Sequence, residues 1–130
     1  ESVSRAWRFS RRYKSQYAPG FMAGWDVGRA AMLTRWGCYL GWITESEAVG
    51  ILWELSRKVV EELHSWREFA QSYLFGGLMW KLLCGDSSAG SYLGYLADAA
   101  TDLLTGKKEQ NNGQWRDCPW PAKRKIGFLP

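Results

Sequence analysis

Residues 24–37 read GWDVGRAAMLTRWG. One acid, two arginines and two tryptophans stand in a stretch that no proline interrupts. Placed on a helix from about Phe21 to Leu40, the residues Met22, Trp25, Met32, Leu33, Trp36 and Leu40 form one apolar side. Gly41 follows as a stop signal. On this reading Arg29 points near the centre of the stripe, between Trp25, Leu33 and Trp36. A guanidinium there must be paired, or its burial is costly. Asp26 lies three residues away on a shared face, near the stripe's edge, and is the nearest carboxylate. Arg35 leans toward the other edge and needs a partner from another helix, with Glu47, Glu54 and Glu68 as candidates.

Two readings of this polar group stay open. In one, Asp26, Arg29, Arg35 and Glu47 form a structural ion-pair network that orients the helix. In the other, Arg29 or Arg35 lines a cleft and holds a phosphate or carboxylate in its fork of donors. Catalysis by Asp26 lacks an evident second group.

Working outward, residues 3–17 carry Ala6, Phe9, Tyr13 and Tyr17 on one helical stripe, with most arginines elsewhere; Pro19-Gly20 then breaks the pattern. C-terminally, Thr44 with Glu47 three residues on reads as a capping box. The helix it opens runs to about Leu63 and would bury Ala48, Ile51, Leu52, Leu55, Val59 and Leu63. Ser65 with Glu68 repeats the device for a helix striped by Phe69, Tyr73, Leu74 and Leu78. Gly76-Gly77 inside it lowers helix propensity and permits close helix contact. A break after Gly85, a cap at Ser87 or Ser88 and a stop at Gly106 delimit a fifth helix, striped by Ala89, Tyr92, Leu93, Leu96, Ala100, Leu103 and Leu104. No stretch alternates over strand length. The tail QWRDCPWPAKRKIGFLP has no helical period, and Trp115 and Trp120 are expected to pin it back on the helices.

The bulk numbers agree with a folded domain: 130 residues, 46% hydrophobic and 23% charged, with nine tryptophans that read chiefly as an aromatic-rich core. No apolar run approaches the roughly 18 residues of a membrane span. Cys38, Cys84 and Cys118 are odd in number and widely spaced, which reads as buried free thiols and fits the reducing cytoplasm. The net charge of +4 is unevenly spread: +5 over residues 1–35, −5 over 36–106 and +4 over 107–130. The basic blocks Arg5, Arg8, Arg11, Arg12, Lys14 and Lys123, Arg124, Lys125, with aromatics among them, are the candidate anion or nucleic-acid surface. His64, the single histidine, sits at a helix end, and Asp98 and Asp102 read as a solvated face. No metal site, nucleotide loop or cofactor is implied.

A series of motifs runs along the chain: Trp25-Asp26-x-x-Arg29, Arg35-Trp36-Gly37, Gly41-x-Ile43, Glu47-Ala48, Ser65-Trp66, Tyr73-Leu74-x-Gly76 with Trp80, and the late Trp115 and Trp120. In this order they resemble the bacterial domain-of-unknown-function family 1266. The resemblance covers roughly residues 20–120, and Gln114 stands where that family commonly has proline. It implies an intracellular bacterial protein with no assigned chemistry, and it marks Asp26, Arg29 and Arg35 as signature positions.

The expected architecture is all-α: a bundle of about five helices with an irregular C-terminal tail packed back on it. Residues 1–19 are expected to form a basic helix, a candidate linker to an upstream region, and residues 20–130 a single helical domain. The expected function is a non-enzymatic interaction module of the cytoplasm, docking on a protein partner or a neighbouring domain. The alternative is an enzyme or toxin-like effector acting on RNA or a phosphorylated substrate, with Arg29 and Arg35 binding the anion. A third class is a plain nucleic-acid binder.

Overall fold

The computed structural model describes residues 1–13, 21–107 and 113–121, and in them the chain is all-α. Its helices are α1 (Ser2–Tyr13), α2 (Ala23–Tyr39), α3 (Glu45–Glu62), α4 (Trp66–Leu83), α5 (Ala89–Thr105) and the single turn α6 (Gln114–Asp117). Helix α4 is the hub and packs against α1, α2 and α5; α3 packs on α2, and α6 on α5. Val27, Val59, Val60 and Leu63 form the buried core, with Leu55, Phe69 and Trp120 against it.

The helix boundaries follow local chemistry. The Thr44 hydroxyl accepts from the Glu47 amide at 3.2 Å, while the Glu47 carboxylate accepts from the Thr44 amide at 2.7 Å. This is a complete capping box. At α4 the device is only half present. The Ser65 hydroxyl accepts from the Glu68 amide at 3.1 Å, but the Glu68 carboxylate accepts from the amide of His64, at 2.8 Å. The expected serine cap of α5 is replaced: Ser88 occupies the position without a capping bond, and Asp86 accepts from its amide and hydroxyl at 2.7 and 2.6 Å. Gly41 and Gly106 end α2 and α5 with positive φ, 75° and 71°, where a side chain would strain the backbone.

The main correction concerns α2. Of its expected core stripe, Trp25 and Met32 are half-buried, but Leu33, Trp36 and Leu40 are each 55% exposed, and Met22 is also exposed. The buried residues are Ala23, Gly24, Val27 and Thr34. Small residues win because they let two helix backbones approach. A Cβ at Gly24 would lie 2.6 Å from that of Ser72 on α4, and one at Gly28 would lie 2.6 Å from the Tyr73 ring. Large side chains at those two positions would push the helices apart.

The other stripes hold in outline. Ala48, Val59 and Leu63 are buried, although Ile51 is 42% exposed. Ala6 of α1 is buried and Phe9 stacks on Phe75 at 5.1 Å; Tyr17 lies outside the described residues. Over residues 114–121 the tail is pinned as expected, and residues 122–130 lie outside the described residues. Trp66 stacks on Trp115 at 5.0 Å and meets Trp120 edge-on at 4.9 Å. The Trp66 indole N–H also donates to the Cys118 carbonyl at 2.6 Å. The turn α6 lies where no helical period was expected. Its brevity explains why, since a single turn shows no repeat.

Candidate functional site

Gly76 and Gly77 of α4 cut a notch that receives Trp25 of α2. A Cβ on Gly76 would overlap the Trp25 side chain, and one on Gly77 would lie 3.0 Å from its ring and 3.3 Å from Tyr92. The seated indole packs against Tyr73 at 5.1 Å and Trp80 at 6.4 Å between ring centroids. One turn on, Arg29 lies over these rings, its guanidinium carbon 5.5 Å from Trp25 and 6.0 Å from Trp80. The aromatic faces therefore supply the attraction that an acid was expected to provide. In the sequence Trp80 stands out only as a motif residue. Its signal is the four-residue step from Gly76, which returns it to the same face of α4.

Beside this cluster, the Lys81 ammonium donates to Asp86 at 2.7 Å and lies 4.8 Å from the Tyr92 ring. The bonds from Lys81 and then Ser88 hold the Asp86 carboxyl far below its ordinary range, and the Asp86 bond raises the Lys81 pKa. Burial pushes the Tyr73 phenol up, Tyr92 adds to this, and Arg29 opposes it.

The four polar residues singled out in the sequence are not gathered into one group. Arg29 is half-buried, while Asp26, Arg35 and Glu47 are exposed. No ion pair joins any two of them among the described residues. Glu47 is engaged in its capping box, and the Thr44 amide and then hydroxyl lower its pKa. Arg29 and Arg35 are six positions apart, about 120° around the helix.

Elsewhere, Arg5, Arg8, Arg11 and Arg12 are exposed on α1, while Lys14, Lys123, Arg124 and Lys125 lie outside the described residues. His64 is exposed, with Nδ1 3.2 Å from the Glu68 carboxylate. Asp98 is exposed, but Asp102 is fully buried and partnered, which corrects the solvated-face reading for that residue. All three cysteines are free; Cys38 is half-buried, but Cys84 and Cys118 are exposed rather than buried. Cys38 and Cys84 stand at the ends of α2 and α4, and Cys118 follows α6. Among the described residues no group of three or more His, Cys, Asp or Glu is placed to hold a metal. A cavity of about 270 Å³ between α2, α4 and α5 is lined by Gly28, Phe69, Tyr73, Leu96, Ala100 and Trp115 among others, and no charged side chain lines it.

A family model described as a protein of unknown function, DUF1266, matches residues 1–120. The chain belongs to this family. The DUF1266 match includes α1, which lies N-terminal to the motifs that suggested the resemblance. Neither the curated proteins nor the solved structures supply a significant match. Among the described residues, no helix of this DUF1266 chain is long and apolar enough to cross a membrane.

Proposed function

We propose that the chain is a non-enzymatic helical interaction module that docks on a protein partner or a neighbouring domain. The observation that carries this reading is the outward face of α2. Leu33, Trp36 and Leu40 repeat at helical spacing, each 55% exposed, and Trp42 in the following turn is 79% exposed. Large apolar side chains clustered on one surface mark interaction sites more often than they occur by chance. Helix-in-groove recognition uses this spacing of anchors.

A photo-crosslinking amino acid in place of Leu40 tests the reading in cells. The expected product is a covalent adduct with a polypeptide. Turnover of RNA, DNA or a nucleotide by the purified chain, lost in a folded Asp26→Ala variant, would replace this reading with the enzymatic one. The alternative of one anion held jointly by Arg29 and Arg35 sits poorly with their separation around α2.

The nucleic-acid reading has one observation of its own. Trp7 is 62% exposed on α1 beside the exposed Arg5, Arg8 and Arg11. It predicts binding that weakens steeply with salt and disappears when those arginines are neutralised.

A further inference from the structure

The outer stripe of α2 is apolar except at one point. Arg29 stands in line with Leu33, Trp36 and Leu40, four, seven and eleven residues before them, so all four share a helix face. Arg29 is half-buried, its guanidinium lies over Trp25 and Trp80, and no described acid lies within ion-pair reach. It leaves no buried polar atom unsatisfied, so its donors still reach water.

An occupant that covers Leu33, Trp36 and Leu40 and continues along the same face toward Trp25 also strips that water from Arg29. Removing a charge from water without supplying a counter-charge is costly and works against the gain from covering the three apolar side chains. The two indoles offset only part of this cost. The occupant must therefore bring an anion, and the planar fork of an arginine suits a carboxylate. A nucleic acid fits this face poorly. It needs several cations along its backbone, whereas this stripe carries one, and the exposed Asp26 flanks it.

We propose that the α2 face binds an amphipathic protein segment whose apolar residues cover Leu33, Trp36 and Leu40 and whose single aspartate or glutamate pairs with Arg29. This rests on the docking reading above and adds the chemistry of the partner.

A library of helix-forming peptides displayed on phage, selected against the full chain, tests both separately. Selected peptides are expected to lose binding to a Trp36→Ala chain and to carry an acid at a fixed distance from their apolar anchors. Replacing that acid by its amide should weaken binding at least about tenfold. The same replacement should have no effect on an Arg29→Gln chain, and an intermediate effect on Arg29→Lys, which keeps the charge but not the fork. Thermal melts confirm that each variant is folded. Peptides that need Trp36 but show no preference for an acid overturn the carboxylate proposal and leave docking intact. Selections that yield no Trp36-dependent peptide overturn both. A single-stranded RNA oligonucleotide that binds the wild-type chain and loses binding in Arg29→Gln overturns the choice of a protein partner.

Discussion

The Gly24 amide donates to the Ser72 hydroxyl at 2.8 Å, and that hydroxyl donates onward to the Phe21 carbonyl. One completely buried serine on α4 thus caps the start of α2 from outside the helix. Ser72→Ala leaves the Gly24 amide buried without an acceptor, and we expect a loss of about 1–3 kcal/mol in urea unfolding. Gly24→Ala is expected to cost more. Its new Cβ would lie 2.9 Å from the backbone carbonyl oxygen of Phe69, which cannot rotate away. The reverse ranking would mean that the α2–α4 approach is looser than described.

The outward face of α2 makes an opposite prediction for large apolar residues. Trp36→Ala and Leu40→Ala should each change stability by less than about 0.5 kcal/mol, as for other surface sites. Were these side chains in the core, each would cost about 2–5 kcal/mol. Chemical denaturation of the two variants separates the cases directly.

The tail is held through Trp66. Trp66→Phe retains an aromatic face for Trp115 but loses the indole bond to the Cys118 carbonyl, which predicts a cost of about 1 kcal/mol. Trp66→Ala removes both and should cost about 3 kcal/mol. Only the alanine variant is expected to expose the tail, seen as faster tryptic cleavage at Arg116. Equal cleavage in all three proteins would show that Trp66 does not anchor it.

Acid stability depends on the loop between α4 and α5. Asp86 has a folded-state pKa depressed far below its ordinary 3.8 by Lys81 and Ser88. A depressed carboxylate stabilises the fold above its unfolded pKa, and the effect fades as pH falls through the folded value. The melting-temperature gap between wild type and Asp86→Asn should be constant from about pH 5 to 9 and narrow below about pH 4. A gap that widens on acidification would have the wrong sign.

Local chemistry made much of this architecture legible in advance. Thr44 with Glu47 announces a helix start because the two side chains satisfy each other's backbone donors, whatever packs nearby. Gly41 and Gly106 end helices because their backbone conformation excludes a side chain. Trp115 and Trp120 stand out in the tail because large aromatic groups bury themselves wherever a partner is available. The candidate polar residues could be named on the same basis, but not their surroundings. Asp26 and Arg29 share a helix face, and spacing alone made them a pair, yet Arg29 lies over Trp25 and Trp80.

What the sequence determined by itself was the helical class, the approximate bounds of α2 to α5 and the residues able to carry charge at α2. Which side of α2 is buried was decided only by tertiary structure. Hydropathy favours the side of Leu33, Trp36 and Leu40, but Gly24 and Gly28 meet Ser72 and Tyr73 on the other side. Close backbone approach depends on matching small residues from two distant segments. Neither segment reveals that match alone, and it leaves Leu33, Trp36 and Leu40 of α2 facing outward.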